Sequence, residues 1–419
     1  MQKIPLIVAA LAAGVVLAAG CGSSGSSGSS AMSSMSSMSN SDMTGMGGKV
    51  AVTSPAADLQ VTLDQLLGEH ALLAVSATQK GYDGSADFTK VAGQLDANSV
   101  ALSKAIGSIY GTKAGDEFLN GKNMWRDHIK DFVAYTVALK KHDTAGQQKA
   151  VTALNAYITT FGNFLAQATG LPATAVQGDL REHVAQLKGQ IDAYAQGRYT
   201  TSAALTNEAY MHMFMTGQIL TQGITTQSPD KFPMGDVSAK TLGLRVALDQ
   251  LLAEHAFLAV SATQKGYDGS PDFAKVAGQL DQNSVALSKA IGSIYGTKAG
   301  DEFLNGKDMW RDHIKDFVDY TVALKKHDTA GQHKAVTALN AYITTFGSFL
   351  AKATGLPATA VQGDLREHVS QLKGQIDAYA QGRYTTSATL TDQAYMHMFM
   401  TGQILAQGIV SQSPDEYTG

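Results

Sequence analysis

Residues 63–80 read LDQLLGEHALLAVSATQK, and the spacing within them decides the fold. Leu63, Leu66, Leu67, His70, Leu73 and Ala77 recur at intervals of three and four, so they share one stripe of an amphipathic helix. His70 therefore points where the leucines point. The stretch returns at 248–265 as LDQLLAEHAFLAVSATQK, with His255 at the matching place, an offset of 255 − 70 = 185 residues. The offset holds without a gap to the end of the homology.

The repeat organises the rest of the chain. With 419 residues and 44% hydrophobic content, there is room for two domains, each with a core of its own. The expected boundaries are 56–230 for the first unit, 231–240 for a linker carrying Pro and Gly, and 241–415 for the second. The net charge of −4, with both signs mixed along the chain, leaves no electrostatic footprint for nucleic acid. Only 8 prolines occur, which suits long helices.

Within the first unit the breaks at Gly81–Gly84, Gly111, His142-Asp143, Gly170-Leu171-Pro172 and Gly197 divide the sequence into helices. The expected spans are roughly 57–80, 86–110, 113–141, 146–168, 173–196 and 200–226. In pairs they make three helical hairpins. The fold class expected is all-α: two tandem, near-identical helical bundles of ferritin or hemerythrin character. The first helix of each hairpin carries an acid followed by histidine, as Glu69-His70, Asp127-His128 and Glu182-His183. The hairpins are otherwise well diverged, so the shared pair is more telling than one copied by duplication.

Each of these histidines lies on an apolar stripe. Trp125, His128, Phe132, Tyr135 and Leu139 share a face, as do Val176, Leu180, His183, Leu187 and Tyr194. On the last helix His212 lines up with Leu205, Thr216 and Ile219 inside the run Met211-His212-Met213-Phe214-Met215. Four imidazoles are thus expected to face the interior of the first unit, and His255, His313, His368 and His397 that of the second. His142, His327 and His333 sit at polar helix ends and read as solvated.

Imidazole is the commonest protein metal ligand, and bundle cores are where facing helices build metal sites. Candidate further ligands or ring-orienting neighbours are Glu69, Asp131, Glu182 and Met213, with Glu254, Asp316, Glu367 and Met398 in the second unit. Against this stands the plain alternative that core histidines are hydrogen-bonded packing residues and core methionines fill gaps. Neither HExxH nor a paired ExxH occurs, so the usual diiron-carboxylate pattern is not met.

Residues 1–21 read as an export signal, with Lys3 followed by a short apolar run and then small residues. Leu17-Ala18-Ala19-Gly20-Cys21 resembles a bacterial lipobox, with Leu one place earlier than in the commonest pattern. The resemblance implies lipidation of Cys21, the sole cysteine, and hence an extracytoplasmic protein anchored to the membrane of the bacterial envelope. A lone cysteine at this place also excludes a disulfide framework and a thiolate metal site in the folded part. Residues 22–55 are rich in Gly, Ser and Met and read as a flexible tether. Its Met32, Met35, Met38, Met43 and Met46 are thioethers, soft donors that suit Cu(I).

Several stretches together resemble a family. They are Leu63-Asp64-x-Leu66-Leu67-x-Glu69-His70, Lys80-Gly81-Tyr82-Asp83-Gly84, Trp125-x-x-His128-Ile129, Phe132-Val133-x-Tyr135-Thr136 and His212-Met213-Phe214-Met215-Thr216-Gly217. They are similar to the paired helical domain of certain bacterial cell-surface proteins often labelled by an attached copper-amine-oxidase N-terminal-like domain. That attached domain is absent here. The resemblance implies an extracytoplasmic helical protein and supplies no catalytic residue.

The reading that results is a lipid-anchored, helical protein binding a transition metal, copper first and zinc or iron next, for binding, buffering or delivery. The alternatives are a cofactor-free structural or interaction module, and a b-type haem protein with two histidines, or one His and one Met, as axial ligands. An enzyme is least supported, since no nucleophile-base-orienter set, phosphate loop or carboxylate pair is present. The sequence names no protein partner.

Overall fold

A computed structural model describes residues 51–418. Cys21 and the methionine-rich stretch 32–46 lie outside the described residues. The order is α1 Pro55–Asp83, α2 Phe88–Tyr110, α3 Thr112–Asn120, α4 Trp125–Lys140, α5 Thr144–Thr169, α6 Ala173–Ala195 and α7 Tyr199–Gln227. There follow α8 Ala239–Asp268, α9 Phe273–Tyr295, α10 Thr297–Asn305, α11 Trp310–Lys325, α12 Thr329–Thr354, α13 Ala358–Ala380, α14 Tyr384–Gln412 and the short α15 Pro414–Tyr417. No strand occurs among the described residues, and the fold is an all-α bundle. No described helix is long and apolar enough to cross a membrane.

Local chemistry sets the ends. Ser54 caps α1 by accepting from the Ala57 N–H at 3.1 Å, with Pro55 in the first turn, where its missing N–H costs nothing. Gly84 ends α1 at φ 78° in the left-handed region, which glycine enters without a Cβ penalty. Asp143 caps α5 through the Gly146 N–H at 3.0 Å.

The single helix expected over 113–141 is two, α3 and α4. The chain turns at Gly121–Met124, with Asn123 at φ 55° donating its N–H to Asp127 Oδ2 at 2.9 Å. The Asn123 conformation cannot continue a right-handed helix, and the Asp127 carboxylate satisfies an N–H that would otherwise lack a partner.

The helix α1 runs through the middle of the bundle, packed along α2 and α7 and touching α4 and α6. Its periodicity suggests one apolar stripe, yet it is buried on nearly every side. Leu63, Leu67 and Leu73 join one core cluster. Val61 and Leu72, from the other face, join another with Tyr210, Phe214, Leu252, Tyr395 and Phe399. A helix apolar on more than one face needs cover on more than one side, and the residues beyond 239 supply it.

Residues 51–418 accordingly belong to one compact body. Tyr210 donates to the Gln250 carbonyl at 2.9 Å, and Tyr395 to the Gln65 carbonyl at 3.1 Å. Lys80 reaches Gln264 and Lys265 reaches Gln79, both at 3.2 Å. Arg245, 4% exposed, binds Asp58 at 2.8 Å and the Val52 carbonyl at 3.1 Å.

Candidate metal centre

Three helices deliver three imidazoles to one point in each half of the bundle. α1 brings His70, α4 brings His128 and α6 brings His183; all are buried, and one ring nitrogen from each lies within 4.8 Å of the others. His255 on α8, His313 on α11 and His368 on α13 form the same group. In the first triad the ring centroids are 5.3, 5.7 and 6.3 Å apart.

The closest approach is between Nε2 of His70 and Nε2 of His128, at 3.3 Å, repeated at 3.3 Å by His255 and His313. Two nitrogens bound to one tetrahedral ion at ~2.05 Å stand about 3.3–3.4 Å apart. The separation is therefore that of two corners of a tetrahedral site. It is also a length at which one imidazole donates N–H to the other.

Aromatic walls fix the rings. Trp125 packs against His70 and His128 at centroid distances of 4.5 and 4.8 Å and donates its Nε1–H to Ser99 at 3.2 Å. Tyr157 stacks on His128 at 4.5 Å, and Phe161 stacks on Tyr157 at 5.1 Å. In this apolar shell burial drives the imidazoles toward the neutral form, and neighbouring imidazoles add to it. His128 is lowered to about 3, while His70 and His183 are lowered well below their usual value. Neutral imidazole is the form that ligates.

The fourth histidine of each set is placed differently. His212 turns its Nε2 to the Asp179 carbonyl at 3.1 Å and the Asp179 carboxylate at 3.3 Å, and Thr216 donates to the same carboxylate at 3.0 Å. His397 does the same with Asp364, at 3.2 and 3.3 Å. Both stand outside the groups of mutually facing ligand atoms.

The neighbouring acids do not hold the rings either. Glu69 accepts from Asn98 at 2.8 Å, Glu254 from Asn283 at 2.8 Å, Glu182 from Gln186 at 3.0 Å and Glu367 from Gln371 at 2.8 Å. The Nδ1 atoms of His70, His128 and His183 have no hydrogen-bond partner among the described residues. Asp131 and Asp316 are half-buried one turn beyond His128 and His313, and burial pushes each up to about 6. Met213 and Met398 are buried, 3% exposed. Met213 shares a cavity wall with His183. His142, His327 and His333 are exposed.

Two residues escaped the sequence reading. Asp179 lies four places before His183, hence on its helix face, and that i, i+4 spacing was the available signal. Tyr157 sits on a helix that carries no histidine, and an aromatic at a core position gives no signal of its own. Its hydroxyl is buried with no hydrogen-bond partner among the described residues.

The two triads can each hold a metal ion. Comparison of the chain with protein-family models, with curated proteins and with solved structures returns no match.

Proposed function

We propose that the protein binds transition-metal ions at two buried three-histidine centres and serves as a metal-binding, buffering or delivery protein of the bacterial envelope. The observation that carries this reading is the convergence of three neutral imidazoles from three helices on one point, with an Nε2–Nε2 separation of 3.3 Å that matches a tetrahedral edge.

Copper is the metal favoured. Imidazole suits copper, zinc, iron and nickel alike. What tips the balance is sulfur: Met213 lies in the wall beside His183, and the tether carries a series of thioethers. A buried, largely apolar setting with thioether sulfur favours Cu(I) among these ions. Haem is disfavoured by space. The cavity that touches the triad measures about 30 Å³, where small-molecule sites start near ~300 Å³. The lipobox-like sequence ending in Cys21 supports anchoring by an N-terminal lipid, from which the residues after it would hold the bundle off the membrane.

A cofactor-free core remains the second reading, favoured by one specific observation. The 3.3 Å separation also accommodates an N–H···N bond between neutral imidazoles. Thermal melts of the full chain with and without copper and zinc separate the two. An ion bound only to the native state at a free concentration a hundred times its Kd adds about 2.7 kcal/mol per site. A melt unmoved by either metal leaves the cofactor-free reading standing.

A further inference from the structure

Beside the first triad lies a cavity of about 30 Å³, walled by Trp125, Tyr157, His183, Met213, Leu102 and Leu220 among others. Its lining is almost wholly apolar. The space exceeds the ~10–15 Å³ a water molecule needs, but a water also needs two to four polar partners, and apolar cavities of this kind stay dry and take up apolar guests. Three protein ligands make an open metal site, whereas structural sites close with four. The Tyr157 hydroxyl has no hydrogen-bond partner among the described residues, although the residue is fully buried. An O–H left so is a donor waiting for an acceptor. Tyr342 repeats the arrangement, stacked on His313 at 4.4 Å with its hydroxyl likewise unpartnered.

We infer that the triad's open position receives a neutral two-atom molecule of the dioxygen, nitric oxide or carbon monoxide class, lodged in the apolar cavity and hydrogen-bonded by the Tyr157 hydroxyl. The inference rests on the metal-binding reading. An anion is a poor fit because the apolar lining offers no counter-charge. A larger organic molecule exceeds the space. Carbon monoxide binds there with no bond cleavage and no net oxidation, donating an electron pair to the metal and accepting a hydrogen bond from the phenol O–H; a dioxygen guest would in addition draw an electron from copper(I), which is then the reductant.

The test uses carbon monoxide as probe on the full chain loaded with copper(I) under nitrogen, followed by the infrared C–O stretch. A copper-bound C–O band is expected, and it should shift when the solvent is changed from H2O to D2O, because the donated O–H exchanges. Tyr157→Phe combined with Tyr342→Phe keeps the stacking on the histidines. It should leave copper uptake and the copper-dependent rise in Tm unchanged, displace the band, and weaken carbon monoxide binding roughly three- to tenfold. Copper uptake without any C–O band overturns this inference and leaves the metal reading intact. No copper uptake overturns both. A band that ignores both the solvent isotope and the double substitution shows that the tyrosines do not meet the guest, and overturns the inference as stated. If the double variant fails to fold, the isotope shift in the unsubstituted protein decides the same point.

Discussion

Nε2 of His70 and Nε2 of His128 meet at 3.3 Å, although the two residues lie 58 positions apart on different helices. Their contact is buried beneath Trp125 and Tyr157, so its loss is felt by the fold as well as by any ion. Replacing His128 with Ala is expected to cost about 2–4 kcal/mol without metal, from the cavity and the orphaned His70 nitrogen. It should also remove the metal-dependent gain of the first centre. His142 is the control: it is exposed at φ 54°, a conformation that favours glycine. His142→Gly should gain about 0.5–1 kcal/mol and leave the metal response untouched. Urea melts with and without metal check both.

The buried imidazoles also set a pH dependence. His128 takes up its proton near pH 3 in the folded chain and near ~6.5 when unfolded. Between those values the unfolded state holds more protons, so stability falls as pH drops, by about 1.4 kcal/mol per pH unit for each fully displaced proton. His70, His183 and their counterparts add in the same direction. Glu254, pushed up to about 6 by burial, works in the opposite direction. It stabilises below its unfolded value near ~4.5 and loses that contribution as pH rises through 6. Asp64, Glu69, Asp131, Asp179, Asp249, Asp316 and Asp364 are raised by burial too and act in the same direction as Glu254, so the imidazole contribution is read from the difference between variants from pH 7 to 4 and not from the net slope. His128→Phe should lower the slope by up to one proton, and an unchanged slope would mean that His128 is not buried neutral.

Asp64 and Gly217 constrain one another closely. A Cβ added at Gly217 would stand 2.0 Å from Asp64 Oδ1, and at Gly402 it would stand 2.0 Å from Asp249 Oδ1. Gly217→Ala would gain up to about 1 kcal/mol of helix propensity. It would also drive a carboxyl that is 1% exposed out of its place. The clash should win, with a net loss of about 2 kcal/mol or more. Chemical denaturation of the variant measures the balance, and a gain in stability would show that Asp64 does not rest against α7.

The core shared across the repeat carries another expectation. A fragment of residues 51–232 loses the cover over Val61, Leu72, Tyr210 and Phe214 and the partners of Tyr210 and Lys80. It should melt below the full chain and bind a hydrophobic dye. A fragment as stable as the full chain would mean that the contacts across the repeat add nothing.

Much of this was legible in the sequence. Strict three-and-four spacing placed His70, His128 and His183 on apolar faces, because helical periodicity is a local property. Which imidazoles actually meet is not local. His212 has the same pattern, but Asp179, on the neighbouring helix, draws it away. The second buried face of α1 was written in Val61 and Leu72, yet its partners lie more than a hundred residues on. The break at 121–124 carried its own signal in Gly121 and Asn123, outweighed by the good helix formers on either side. Tyr157 left no mark, because an aromatic in a helix reads as packing whether or not its hydroxyl has a partner.

The most direct measurement is the number of metal ions held per chain at equilibrium, by dialysis of the full chain against copper and, separately, zinc, followed by elemental analysis. The two triads predict two ions per chain, one after His183→Ala, one after His368→Ala and none when both are replaced, with far-UV circular dichroism retained throughout. Retention of both ions by the doubly substituted chain, or uptake of none by the unsubstituted one, would contradict the assignment of the triads as metal centres.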